Sequence, residues 1–334
     1  MTTVYFLPVV PSAAQKISFE TVKVKYVRLP LQPLPAEVKS YYSKVVVPQK
    51  REDPKYQHYR VSVEGLKYVS SPGGAGLTVE LNFREFGMLD PEKVSDEVYR
   101  VNTAQKEQGY YYELQYDFPA ELVVTTADHK VLLHREMHPD SSARFRQFGK
   151  WTFSEGELEE KYRAGAGDLN QKVFDACLQS VLKQSKELVN SEFAFTPVTY
   201  RQKIAVLRSK KTPFYKDFQK AVQLTGVAFD VDSYEPGGES DRTLQQALDI
   251  WKRIVDDASG KANGTVKMLA AYNCAAVSRW MNRFDEAAAW ARRAAEGITP
   301  QTQKKMTGLV MPLTGEIRIR EARYNANGKD GRME

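Results

Sequence analysis

Residues 270–296 read AAYNCAAVSRWMNRFDEAAAWARRAAE, and this stretch decides the fold of the C-terminal half. Small and apolar residues recur at helical spacing up to Met281, stop at Asn282-Arg283, and resume from Phe284. The pattern predicts two short helices joined by a tight turn. Asn282 suits that turn, because asparagine tolerates left-handed geometry at single positions. Ala275 and Ala287 allow the two helices to approach closely, and Phe284 and Trp290 are large enough to fill the space beside them.

Moving outward, Leu244-Gln245-Gln246-Ala247-Leu248-Asp249-Ile250-Trp251 has the same layout as Phe284–Ala291. Ala247 and Ala287 stand 40 residues apart, so the connection between the two copies carries an insertion, which Ser259–Gly264 can supply. Tyr215–Val222 fits the first helix of the earlier copy. Helices within 168–222 and Gln301–Tyr324 complete the stack, because one or two such units cannot bury their faces alone.

The order Tyr272-Asn273-Cys274-Ala275, then Asn282-Arg283-Phe284-Asp285-Glu286-Ala287, then Trp290 and Ala294 resembles a tetratricopeptide repeat of roughly 34 residues. The resemblance implies a peptide-binding concave face lined by first helices, on which Tyr272, Asn273, Ala276 and Arg279 are the candidate partner-binding residues. The family's carboxylate-clamp version places an asparagine directly after the small first-helix residue. Ala276 stands there, so capture of a C-terminal carboxylate is not expected.

The N-terminal half reads as strands. Val22, Val24 and Tyr26 alternate with Lys23 and Lys25, and Tyr59, Val61 and Val63 alternate in the same way, as do Leu77, Val79, Leu81 and Phe83. The second and third of these runs predict a hairpin around the loop Ser70–Gly76. Leu29–Pro35 is an extended connector, because proline donates no ladder hydrogen bond. Lys50–Tyr56 reads as a loop. Asp90-Pro91 predicts a short helix to about Arg100, proline being well placed at a first helical position. Tyr110, Tyr112, Leu114, Tyr116 and Phe118 share one strand face, and 121–135 predicts a second hairpin turning at Thr126–His129.

At Ser154 the period changes. Ser154 and Glu157 fit a capping box, Asp168 caps a longer helix, and Pro197 breaks the pattern before helices at Gln202–Arg208 and after Pro213. The expected fold is therefore α+β. An antiparallel β-sandwich-like domain (1–152) precedes an all-α tetratricopeptide-like domain (153–326), and 327–334 is a polar tail. A length of 334 residues fits roughly two domains.

Several functional classes find no support. The net charge of +6 is mild and the basic residues are dispersed along the chain, so no nucleic-acid footprint is expected. Apolar runs fall short of the roughly 20 residues of a membrane helix. His134 and His138 follow a strand, where residues four apart lie roughly 13 Å from each other, too far for one metal. There is no Gly-x-Ser-x-Gly elbow and no cysteine beside a histidine in a nucleophile motif, so neither enzyme chemistry, a metal nor a cofactor is expected. Cys177 and Cys274 lie on apolar helix faces as buried thiols, and their separation in space decides whether they bond.

Val4–Val10 followed by Pro11–Gln15 is either the end of a secretory leader or a first strand. The strands-first, repeats-last layout, with Tyr26-x-x-Leu29-Pro30-Leu31-x-Pro33-Leu34, resembles uncharacterised exported proteins of Gram-negative bacteria. That implies a periplasmic or outer-envelope location, with the cytoplasm as the alternative. The expected function is a non-enzymatic interaction or assembly module that binds another protein or peptide. The alternative is a carbohydrate- or peptide-binding accessory protein using the aromatic row, with Tyr112 and Tyr116 in its cleft.

Overall fold

A computed structural model describes residues 17–50, 52–89, 91–99 and 106–328. The stretch Val4–Val10 and residues 329–334 lie outside them. Among the described residues helices and strands are both abundant, with helices the larger share, which makes the protein α+β. No helix among the described residues is long and apolar enough to cross a membrane.

The first described strand is β1 (Ser18–Arg28), in which Val24 is fully buried and Lys23 and Lys25 are exposed, as the alternation requires. The chain then enters a compact unit, Gln32–Phe195, before returning to a second unit to which the described residues 17–31 and 196–328 belong. The first unit is thus an insertion between two segments of the second. This differs from the boundary expected near residue 152, which would leave all strands on one side and all helices on the other.

Within the inserted unit the strands are β2 (Ser40–Val46), β3 (Lys67–Tyr68), β4 (Leu77–Phe83), β5 (Gly87–Met88), β6 (Glu92–Tyr99), β7 (Lys106–Asp117), β8 (Ala120–Thr126), β9 (Val131–Met137) and β10 (Phe145–Thr152). The short helices α1 (Pro54–Gln57) and α2 (Ser141–Arg144) and the 39-residue helix α3 (Glu155–Phe193) complete it. One sheet has the order β3-β2-β4-β8-β9, and β7 is flanked by β10, β6 and β5 in a second group. The expected hairpin at 121–135 is present as β8 and β9. The five-stranded sheet is mixed, because β2 runs parallel to both β3 and β4.

Three local expectations give way here. Tyr59–Val63 buries Val61 and Val63 yet forms no strand, and β4 pairs instead with β2 and β8. The Ser43 hydroxyl accepts the Val61 N–H and the Asn190 side chain accepts the Glu64 N–H, so side chains take the place of ladder bonds. Residues after Pro91 form β6, paired along β7 from Glu92↔Glu113 to Tyr99↔Lys106; Val94 and Val98 stand four apart, a spacing that fits one face of a helix or of a strand, and the pairing with β7 decides between them. Asp168 lies inside α3, whose N-cap is Ser154, with its hydroxyl accepting the Glu157 N–H.

The apolar spacing of α3 is as read, but its partner is different. Val173, Phe174, Cys177, Leu178 and Val181 bury into the same cluster as the sheet positions Val79, Leu81, Leu122 and Val124. The helix therefore belongs to the β-rich unit. Periodicity announces an apolar stripe; it does not say which surface will cover it.

The second unit resumes with β11 (Thr196–Val206), antiparallel to β1 over its full length, from Arg28↔Thr196 to Ser18↔Val206. Five helices follow: α4 (Tyr215–Phe229), α5 (Glu239–Val255), α6 (Gly264–Trp280), α7 (Phe284–Glu296) and α8 (Pro300–Ala326). Gln202–Arg208, expected as a helix, is strand up to Val206. Val198, Tyr200, Gln202 and Ile204 point inward and Pro197, Thr199, Arg201 and Lys203 outward, a period of two that the helical reading overlooked.

The α6–α7 turn is as expected. Asn282 has φ 55°, and the Arg283 N–H reaches the Ser278 carbonyl at 3.0 Å, closing the end of α6. Gly297 permits the return past α6, since a Cβ there would stand 2.8 Å from Met268 Cβ. Lys252 on α5 pairs with Glu286 on α7 at 2.5 Å. Ala247, Ala275, Ala287 and Ala294 are fully buried where helices meet.

Each unit owns its core. Among the described residues, no member of the β-rich cluster comes from outside 32–195, and none of the helical cluster comes from inside it. A chain in which Gln32–Phe195 is replaced by a short glycine-serine linker should therefore fold. Its urea unfolding, followed by tryptophan fluorescence, should be a single cooperative transition. A gradual, non-cooperative change would show that the helical unit depends on the insertion.

Candidate protein-interaction site

From Met268 to Trp280 every residue of α6 is buried, so the helix is surrounded rather than grooved. α5 and α7 pack along it, and β11 and α8 close the remaining sides. The Ala205 N–H donates to Asn273 Oδ1 at 2.8 Å, and Asn273 Nδ2 donates to the Ala205 carbonyl at 3.0 Å. One carboxamide thus satisfies both backbone groups of one strand residue, and Asn273 is itself fully buried. The Tyr272 hydroxyl donates to the Lys203 carbonyl at 3.2 Å, two residues along the same strand edge.

These contacts fix the strand register. Because both groups of Ala205 face α6, the pair Phe19↔Ala205 exchanges no hydrogen bonds, and every second pair from it is of the same kind. Val27↔Pro197 is one of them, so the missing N–H of Pro197 removes no rung. Lys25 is another, and its outward carbonyl accepts the Tyr234 N–H at 2.6 Å.

Trp280 is the second anchor. Its Nε1 donates to Gln202 Oε1 at 3.0 Å, and Arg279 donates to the same oxygen at 2.6 Å. Arg279 also pairs with Glu316 of α8, while Glu316 accepts the Tyr200 hydroxyl at 2.5 Å. The rings of Tyr26, Tyr200, Phe229 and Tyr234 all meet Trp280 edge-on or nearly so, with centroids 4.8 to 6.0 Å away. Burial raises the Tyr200 hydroxyl to about 12, so it stays a donor at neutral pH.

Arg320 stands 4.5 Å from the Trp280 ring centre and 5.1 Å from that of Tyr26, with its Nε buried and without a hydrogen bond. Burial lowers this guanidinium to about 10. The aromatic faces stabilise the cation in place of a carboxylate.

The four residues expected on an open concave face are thus placed as follows. Tyr272, Asn273, Ala276 and Arg279 are all buried, at 3%, 0%, 0% and 3% exposure, and Tyr272, Asn273 and Arg279 are hydrogen-bonded to Lys203, Ala205 and Gln202 of β11. Tyr272 borders a surface cleft of about 140 Å³ with Tyr200, Lys203, Leu309, Pro312 and Glu316, between β11 and α8. A wider depression of about 460 Å³ adjoins it, bordered by Phe19, Thr21, Lys203, Lys305 and Leu309.

The aromatic row of the β-rich unit is core. Tyr116 and Phe118 are fully buried, Tyr116 stacks on Phe86 at 5.6 Å, and its hydroxyl donates to Asn170 at 3.0 Å. Tyr112 is half-buried and packs on Tyr162. These contacts occupy the space where an open cleft around Tyr112 and Tyr116 was expected. His134 lies in β9 beside Glu121 at 2.6 Å, and His138 follows the strand near Asp117 at 3.3 Å. Cys177 and Cys274 are free, buried and in different units, and burial raises both thiols.

Sequence reasoning missed Gln202, Lys203 and Glu316. The period-2 alternation of Val198–Ile204 was the signal available for the first two; no local pattern marks Glu316.

Replacing Asn273 by alanine strands a buried N–H and carbonyl of Ala205 and should cost roughly 3 kcal/mol in urea unfolding. Asn273→Asp separates the two groups by pH. A protonated carboxyl can accept and donate as the amide does, so the folded state favours the proton and its pKa there lies above the unfolded value. Stability should be greatest below the ordinary carboxyl pKa of about 4 and fall by about 1.4 kcal/mol per pH unit above it, until the folded-state pKa is passed. A flat pH profile for this variant, relative to the parent, would contradict the bidentate arrangement.

Comparison of the chain with protein-family models, with curated proteins and with solved structures finds no match in any of the three.

Proposed function

We propose that the protein is a non-enzymatic interaction or assembly module built on a short tetratricopeptide-like stack. In this reading α4–α5 and α6–α7 are successive hairpins, and α8 is the closing helix. The equivalence of Ala247 with Ala287, both fully buried on second helices, supports that pairing. So does the left-handed Asn282 in the turn.

The observation that carries the reading is the grip of Asn273 on the Ala205 backbone. A first helix that holds an extended main chain through side-chain amide and hydroxyl groups is doing what a peptide-binding helical repeat does, with the chain's own strand as the peptide. The partner then docks on what the strands present outward and on the depressions beside α8. An envelope location is part of the proposal and rests on the sequence layout alone.

The test is affinity capture with the whole protein from native membrane and soluble fractions, followed by mass spectrometry. The expected outcome is one stoichiometric protein partner, recovered with the envelope fraction. Recovery of the protein without any partner at physiological salt would overturn the interaction reading. Residence in the cytosol would overturn the location.

A further inference from the structure

Strand pairing brings together basic residues from opposite ends of the chain. Thr21, Lys23 and Lys25 of β1 face Lys203, Arg201 and Thr199 of β11 in register, and all six are exposed. Lys23 stands directly opposite Arg201 at a pair that exchanges no hydrogen bonds, where side chains are closest and like charges repel. Lys25 is paired with Asp232 at 3.5 Å. Lys23, Arg201 and Lys203 have no ion pair among the described residues. Lys305 of α8 adds a fourth basic group at the rim, bordering with Lys203 the depression of about 460 Å³.

A solvated face needs no such arrangement. Charges that merely protect a strand from aggregation can be of mixed sign, and mixed signs would attract across the ladder where these repel. The face also lacks what a nucleic acid requires for base stacking. Its six outward residues include no aromatic; Phe19, next on the same side of β1, has its ring packed edge-on against Tyr272 at 5.9 Å, and Tyr26 and Tyr200 lie on the opposite face against Trp280.

We propose that the outward face of the β1–β11 ribbon, centred on Lys23, Arg201 and Lys203, binds an acidic peptide segment in extended conformation. The inference rests on the interaction-module reading and names its partner's chemistry. Outward residues of a strand repeat roughly every 6.6 to 7 Å, which is the spacing of alternate side chains in an extended peptide. Carboxylates at every second position therefore meet Arg201 and Lys203 together, with Lys23 beside them.

The probe is a fluorescein-labelled eight-residue peptide of alternating glutamate and threonine, titrated into the whole protein by anisotropy. Binding should saturate and weaken as salt rises. The double variant Lys23→Glu/Arg201→Glu should lose at least about tenfold in affinity. Lys23→Glu alone should raise the urea midpoint, because it turns a repulsive cross-strand pair into an attractive one; this shows that the face was kept basic against stability. Equal binding by the double variant, with its circular dichroism unchanged, overturns the proposal. Tighter binding of an oligothymidylate of equal charge, or equal binding of a peptide with its four glutamates in one block, does the same. If the double variant still captures the parent's cellular partner, this inference fails while the module reading stands.

Discussion

The carboxamide of Asn273 against the backbone of Ala205 is the interaction on which the helical unit depends. A strand lying on a helix leaves half of its backbone groups facing side chains instead of another strand. Buried without partners, each would cost on the order of 1–3 kcal/mol. Asn273 satisfies both groups of one residue, Tyr272 the carbonyl of another, and the loop amide of Tyr234 a third on the opposite edge. With those groups satisfied, a two-stranded ribbon, marginal by itself, becomes part of a packed core.

The topology follows from that seating. Because β1 and β11 pair from Ser18↔Val206 to Arg28↔Thr196, the chain leaves and re-enters the ribbon at one place. A whole unit fits between the two strands without disturbing either core, its own ends tied by Gln32 N–H to the Glu192 carbonyl at 2.7 Å. The aromatic cluster at Trp280 makes the seating specific. Gln202 is the polar residue pointing inward from the middle of β11, and its oxygen takes both Trp280 and Arg279. A slip of one residue would turn Gln202 outward and drive Arg201 or Lys203 into the rings.

The sequence was most readable where a pattern is local. The α6–α7 turn at Asn282, the apolar stripe of α3, the hairpin at 121–135 and the alternation of Val22, Val24 and Tyr26 all stand in the structure. Partners were not readable. The stripe of α3 faces sheets rather than helices, and β6 owes its extended form to β7. Tyr272, Asn273, Ala276 and Arg279 were singled out for an open face, and Tyr272, Asn273 and Arg279 instead hold β11, whose Ala205 stands 68 residues before Asn273. The basic residues looked dispersed because Lys23 and Arg201 become neighbours only through strand register.

Hydrogen–deuterium exchange at the Ala205 amide tests the central claim most directly. If the ribbon is an integral layer of the helical unit, that amide exchanges only through global unfolding. Its opening free energy should then match those of the α6 amides and fall in step with them in added urea. Exchange of Ala205 through a smaller, urea-independent opening, while α6 stays protected, would mean that the ribbon leaves the helix freely and that α6 presents an open face after all.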